Sequence, residues 1–467
     1  MQIYDTLSGK KKELKKPLFK SIKMFVCGPT VYDTPHIGNA RTFVTFDILV
    51  RYLRSRKFKI FYLQNITDLD DKIINRAREN GIIPEQLAKK YEDEFLQTMD
   101  QLGVCSVNQY AKATDFIPQI VVQVRKLISK GKAYKIDGDG WYFDISTFPN
   151  YGKLSRRTVE QAEDGVSRID ESDKKRNRGD FCLWKFSRAL SDAEVKEGEP
   201  VFAASIGAGR PGWHIEDTAI TESFLGPRYY IHGGAQDLKF PHHEAEIAQQ
   251  ESISGKHPLA KIWMHVGFLK LSGKKMSKSE GNFLTITQLL EKHSPNTFRL
   301  LVFSHHYRSP IDYTPSLIKE NEKNLLTIIG FVKKLELITS KKGVDFNVRP
   351  YIEAFHHSMQ DDFNTPKALA VVFELMNKVN KVWTQLNHVS AMSIRHTIID
   401  LFCSIGIVQL LPEIPESVQK LFEERELSRD SKQFDQADTL RKKIESLGYL
   451  IEDTPKGSLL LPKQENL

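Results

Sequence analysis

Between Lys23 and Gly28 the chain reads KMFVCG, a short run apolar on both faces that ends in a glycine. The loop PTVYDTPHIG follows. From Gly38 the apolar spacing becomes helical, carrying Phe43, Phe46, Leu49, Val50 and Leu53 to one side. A second strand-like run, Phe58 to Leu63, comes next. Strand, loop, helix, strand predicts a βαβ unit, hence a parallel sheet with its ligand site at the strand C-termini. Between Ala133 and Lys185 the pattern differs. AYKIDGDGWYFDI places two apolar-rich stretches around DGDG, which predicts a hairpin. The remainder is charged and glycine-rich, includes KKRNRGD, and reads as an insertion into the sheet domain. Strand patterns resume near Gly209, at Arg228 to His232, and in WMHVGFLKLSG; HHEAEIAQQ between them is helical.

Beyond about Asp312 the spacing changes to helical. One apolar stripe from Leu317 to Leu337 passes through Leu325, Ile328, Ile329, Val332 and Leu335. A helix from Tyr351 follows. DDFNTPKALAVVFEL is a helix start, with Asn364 or Thr365 as cap and Pro366 in the first turn. A further apolar helix is predicted from about Ser393 to Leu410, completing an antiparallel bundle. LPEIPES reads as a linker. The last fifty residues predict two charged helices stopped by Gly448, then a small hairpin around PKG.

The 467 residues carry 67 Lys and Arg against 59 Asp and Glu, a surplus of eight positive charges. The first 72 residues hold 14 basic against 7 acidic side chains, so this end supplies much of it. Such a surplus permits a polyanionic partner without requiring one. No apolar stretch is long enough to span a bilayer, and the N-terminus has no apolar core behind its charges, so it is not a secretory signal. The four cysteines, Cys27, Cys105, Cys182 and Cys403, form no CxxC pair. A disulfide-free chain in a reducing, cytoplasmic setting is expected.

Two short elements bear chemistry. His36-Ile37-Gly38-Asn39 lies where a helix begins, and unpaired N–H groups and the positive dipole end there suit phosphate. Alone, it reads more readily as an ordinary loop histidine. Lys275-Met276-Ser277-Lys278-Ser279 sits inside GKKMSKSEGN, a cationic loop bounded by glycines. Such a loop suits charge building on a leaving pyrophosphate.

These are the two signatures of class I aminoacyl-tRNA synthetases, in order and on either side of an insertion. Over essentially its whole length the chain resembles the cysteinyl-tRNA synthetase family. The resemblance is carried by FVCGPTVYDTPHIGNARTF, NITDLDDKI, SDKKRNRGDF, GAGRPGWHIE, IHGGAQDLKFPHHEAEIAQ, KKMSKSEGN, SHHYRS and DDFNTP. It implies a Rossmann-like α/β catalytic domain with a parallel sheet in two halves, 1–120 and 191–262, split by a connective insertion at 121–190. A stem-contact region with the KMSKS loop at 263–318, a helical bundle at 319–410 and an anticodon-binding domain at 411–467 would follow. The implied activity is cysteine–tRNA ligation: L-cysteine and ATP (with Mg2+) form cysteinyl-adenylate and pyrophosphate, and the cysteinyl group passes to tRNA(Cys). A monomer is expected from the resemblance.

The resemblance also implies a zinc ion held by Cys27, Asp217, His242 and Glu246. His242 and Glu246 stand four apart, on one helix face. Asp217 departs from the family, which usually has cysteine there. Formal charge is kept, but the site becomes harder. Three outcomes are open: zinc bound more weakly and a stronger Lewis acid, a competing hard divalent metal, or no metal and recognition of cysteine by shape alone. Zinc is retained as the reading because aspartate is an accepted zinc ligand and the other three are in place. The need is selectivity: cysteine and serine differ only by sulfur for oxygen, and a metal-free pocket separates such near-isosteres by only about 100-fold. By position, Thr30 and Asp237 would hold the substrate amino group, and Thr67, Trp213 and His232 would wall the pocket. His36, Gly38, Asn39 and Lys278 would contact ATP, with Lys275 assisting; Asn39 replaces a more frequent histidine but still donates a hydrogen bond. From Glu413 onward there are 9 basic and 12 acidic residues, so tRNA recognition there would rest on specific contacts, not bulk charge. Two other readings are kept: a ligase joining cysteine to a small amine, and a degenerate homologue that only binds.

Overall fold

The computed structural model describes residues 1–17, 20–157, 172–187, 199–276 and 282–467. The chain divides into two units, 2–268 and 269–467, with Met1 grouped with the second.

Segments apolar on both faces become interior strands of parallel sheets. After an N-terminal hairpin, β1 (Gln2–Asp5) and β2 (Lys10–Glu13), such segments form β3 (Ile22–Val26) and β4 (Ile60–Ile66), joined by α1 (Ile37–Ser55). Strand β4 starts later than its apolar run. Lys57 takes φ 62° and the N–H of Phe58 bonds to the carbonyl of Leu53, so the end of α1 uses these residues. Helices α2 (Asp71–Asn80) and α3 (Pro84–Gln101) lead to β5 (Gln109–Lys112). Helix α4 (Ile117–Ser129) then enters the insertion.

There β6 (Ala133–Ile136) and β7 (Gly140–Phe143) form the predicted hairpin, extended antiparallel by β8 (Phe181–Phe186) and β9 (Gly209–Pro211). The insertion sheet thus closes past the expected edge at 190, because Trp184 pairs with Pro211. The run near Gly209 belongs to this sheet and not to the parallel one.

Helix α5 (Ile215–Leu225), β10 (Tyr229–Ala235), α6 (His242–Ser254) and β11 (Ala260–Val266) return to the parallel sheet, whose order is β11-β10-β3-β4-β5. From β3 the chain builds outward through β4 and β5. It then re-enters on the other side of β3 with β10. That reversal opens a crevice beyond the C-terminal ends of β3 and β10, where ligands of such sheets bind.

In the second unit β12 (Leu269–Leu271), β13 (Lys274–Lys275) and β14 (Ile311–Tyr313) form a small sheet, with α7 (Ile286–Leu290) and α8 (Pro295–Phe303) between β13 and β14. Helices α9 (Pro315–Lys334), α10 (Arg349–Gln360), α11 (Thr365–Asn380) and α12 (His388–Cys403) follow. Asn364 caps α11, accepting from the N–H of Lys367 at 3.2 Å. Helix α12 begins earlier than the apolar stripe predicts. Asn387 accepts from the N–H of Ser390 at 2.8 Å and starts it, and Gly406 at φ 87° lies just past its end. The chain finishes with α13 (Glu416–Asp430), α14 (Phe434–Ser446) and the antiparallel pair β15 (Tyr449–Thr454) and β16 (Gly457–Pro462). Among the described residues no helix is long and apolar enough to cross a membrane.

Candidate active site

The loop after β3 makes the first half of the site. At Gly28 a Cβ would lie 1.9 Å from the carbonyl oxygen of Asn65, so only glycine lets the two strand ends approach. Gly28 N–H donates to Asn65 Oδ1 at 2.6 Å. Two residues on, Thr30 bridges Thr67 in parallel fashion. His36 is the N-cap of α1. Its Nδ1 accepts from the N–H groups of Gly38 (3.0 Å) and Asn39 (3.3 Å), and Asn39 Oδ1 accepts from the N–H of His36 (3.2 Å). This reciprocal box revises the sequence expectation, since these two N–H groups are spent on the cap rather than left for phosphate. It also fixes the chemistry of both side chains: His36 carries its proton on Nε2, and Asn39 keeps its amide Nδ2 as a donor.

The floor of the crevice gathers the metal-ligating types. Cys27 follows β3, its N–H bonded to the carbonyl of Gly233 on β10. Asp217 and His242 come from the first turns of α5 and α6. Cys27 Sγ lies 3.5 Å from Asp217 Oδ2, and His242 Nε2 lies 2.9 Å from the same oxygen. All three are buried, and their ligand atoms fall within one ion's reach. Glu246 stands one step aside, grouped with His232 and His243. Its Oε1 lies 3.4 Å from His242 Nε2, 3.6 Å from His232 Nε2 and 3.8 Å from His243 Nε2.

These residues fit a divalent cation. Ligands sharing a tetrahedral zinc stand roughly 3.3–3.8 Å apart; the Cys27–Asp217 and His242–Glu246 separations fall in that range, and the His242–Asp217 contact, at hydrogen-bond distance, is shorter. Both oxygens of Glu246 and Oδ1 of Asp217 are buried without a hydrogen-bond partner, which a protein ordinarily avoids. Burial, then the neighbouring Asp217 charge, pushes the Cys27 thiol and the Glu246 carboxyl well above their usual ranges. A bound cation reverses both effects.

The walls are aromatic and imidazole. The Trp213 ring stacks on His242, centroids 4.5 Å apart. His232 stacks on Trp263 at 4.1 Å and its Nδ1 meets Tyr229 OH at 2.8 Å. Burial, then His265, lowers the pKa of His232 and keeps it neutral. Asp237 lies in an exposed 3-10 turn just beyond β10. Lys275 ends β13; Lys278 lies outside the described residues.

Several neighbours escaped the sequence reading. His214 Nδ1 meets His242 Nδ1 at 2.8 Å, which fixes the ring presenting Nε2 to the cluster. Glu216 accepts from Thr67 Oγ1 at 2.6 Å. His243 Nδ1 meets His265 Nε2 at 2.9 Å, and His265 Nδ1 meets Thr6 Oγ1 at 2.9 Å. The GWHIE and HHE strings held His214, Glu216 and His243 in plain view.

Comparison with known proteins gives this geometry its context. Residues 14–323 match the family described as tRNA synthetases class I (C) catalytic domain, 354–406 a DALR domain, and 411–458 the cysteinyl-tRNA ligase anticodon binding domain. A protein of Thermococcus gammatolerans named cysteine–tRNA ligase is 39% identical over 480 residues, covering 98% of both chains. The chain belongs to the cysteine–tRNA ligase family. A cysteine–tRNA ligase of Caldicellulosiruptor saccharolyticus is likewise 39% identical over 473 residues, covering 98% of this chain and 99% of its own. The fold extends to more distant synthetases. The methionyl-tRNA synthetase of Mycobacterium tuberculosis, solved with methionyl-adenylate, superposes with a TM-score of 0.60 at 15% identity, covering 86% of this chain and 93% of its own.

Proposed function

We propose that this chain is itself a cysteine–tRNA ligase that activates L-cysteine with ATP and passes it to tRNA(Cys). The observation that carries this is the crevice floor: a thiol, a carboxylate and an imidazole within 3.5 Å along the set, in a chain whose whole length matches ligases of that name. Cys27, Asp217, His242 and Glu246 would hold zinc, and zinc bound there would supply a soft preference for sulfur over oxygen.

The chain's own residues do the rest. His214 holds the His242 ring in its tautomer. Thr30 and Asp237 receive the amino group; Thr67, Trp213 and His232 close the walls, and neutral His232 adds no charge beside the sulfur. His36 Nε2 and Asn39 Nδ2 donate to the phosphates of ATP beside Gly38, and Lys278 with Lys275 meets the pyrophosphate. The substrate carboxylate attacks the α-phosphorus in line, and positioning and charge stabilisation lower the barrier without a side-chain nucleophile. The anticodon-domain match at 411–458 favours tRNA over a small amine as acceptor. The remaining domain roles are those set out from the sequence, in a cytoplasmic monomer.

The test is cysteine-dependent ATP–pyrophosphate exchange with serine as rival, before and after chelation, followed by charging of tRNA. Exchange that needs cysteine, refuses serine and falls on chelation is expected. Exchange unchanged by chelation removes the metal from the reading, and no exchange by metal-replete protein removes the ligase.

A further inference from the structure

The site described so far provides for the sulfur and amino group of the substrate, but not for its carboxylate. A cation is needed to hold it, and the crevice contains one that no role yet uses. Lys72 is the second residue of α2, which follows the end of β4, and its side chain is exposed. Its Nζ lies 5.6 Å from the ring centre of Tyr32 and 5.6 Å from that of Trp213. Tyr32 follows Thr30 by two residues, and its N–H bonds to the Thr30 carbonyl. Trp213 stacks on His242. The ammonium is therefore tied to both the amino-group side and the metal side of the pocket.

The carboxylates around it are already engaged. Asp70 caps α2, accepting from the N–H of Lys72 itself at 2.7 Å; Asp71 pairs with Arg210; Asp33 pairs with Arg76 at 3.2 Å. Among the described residues Lys72 has no ion-pair partner. Two ring contacts at an exposed position are weak. They place the charge without neutralising it.

We infer that Lys72 is the carboxylate-binding residue of the pocket, holding the anionic end of the amino acid and presenting it for attack on ATP. This rests on the ligase reading, and its test is built to fail separately. Binding of cysteine and of cysteamine, which has the thiol and amine but no carboxylate, is measured calorimetrically on metal-replete protein. The wild type is compared with Lys72→Met and Lys72→Arg, with a thermal melt of each as the folding control. In Lys72→Met cysteine is expected to weaken by about 10-fold or more, the scale of a lost charge-assisted hydrogen bond. Cysteamine is expected to stay within about twofold on the same reasoning, and Lys72→Arg to recover most of the loss. In exchange assays the loss falls on KM for cysteine and leaves KM for ATP unchanged; if the ATP value moves instead, the anion held is a phosphate and the inference is wrong. Parallel weakening of cysteine and cysteamine would show that Lys72 only supports Trp213, and unchanged cysteine binding would also overturn it. Binding needs no turnover, so wild-type protein that binds cysteine but shows no exchange would remove the ligase reading and leave the Lys72 result standing.

Discussion

Two buried polar clusters of this molecule are built on opposite plans. In the second unit Asp362, 2% exposed, is saturated: it accepts from Tyr307 OH at 2.9 Å and from Arg308 Nε and a terminal nitrogen at 3.0 and 2.6 Å. In the first unit Glu246 is buried as deeply, yet both its oxygens lack a hydrogen-bond partner, as do Oδ1 of Asp217 and Nε2 of His232 and His243. Both clusters pay desolvation; only the first recovers it from within the protein. A satisfied cluster is complete at the end of folding and acts on stability. An unsatisfied one is complete only with a ligand, so it acts on binding. Tyr307 makes the same point, because burial and then Asp362 raise its pKa and keep the hydroxyl a donor.

That contrast can be broken by substitution. The largest effect belongs to Cys27→Ala and Glu246→Gln, each expected to lower cysteine-dependent exchange by at least about 100-fold, with metal content by elemental analysis falling in step while the melt changes little. Full metal content in either variant would mean that the orphaned oxygens serve something else. Next comes Asp217→Cys, which should tighten zinc roughly tenfold against a competing chelator because thiolate is the softer ligand. Equal affinity would take Asp217 out of the ligand set. On the other side, Asp362→Asn should cost about 2 kcal/mol in a denaturant melt, since it leaves Tyr307 and Arg308 without their charge partner. Asn also tolerates the positive φ of 60° found there, and exchange at 25 °C should stay within about twofold. Smallest is Asn364→Ala, which removes the α11 cap and is expected to cost about 1 kcal/mol; no change would mean that water caps the helix equally well.

Period and punctuation made much of the fold legible. The βαβ unit, the DGDG hairpin, the Asn364 cap and the closing pair of helices and strands all follow from local spacing. What local spacing could not show were the places where tertiary pairing overrode it. Strand β9 looks like a continuation of the parallel sheet but pairs with Trp184 and Lys185, and the apolar Phe58 ends a helix instead of starting a strand. The site divides in the same way. Four-residue spacing puts His242 and Glu246 on one face. Adjacent helical residues, however, point about 100° apart, so Glu216 turns to Thr67 while Asp217 turns to Cys27. The contact of His243 with His265 joins α6 to β11 and has no signature in one dimension.

His36 shows what a cap can do beyond starting a helix. With Nδ1 bound to two backbone N–H groups of α1, the ring loses its rotational freedom when the helix forms, before any nucleotide arrives. If Nε2 donates to phosphate as proposed, the entropy of ordering that donor falls on folding and not on each turnover. A residue at this position therefore answers to two selections at once. On the proposed reading, asparagine in place of His36 would keep the helix start and draw the donor back from the reach of Nε2 to that of a shorter amide Nδ2, and so it asks how much of the rate comes from where that donor stands.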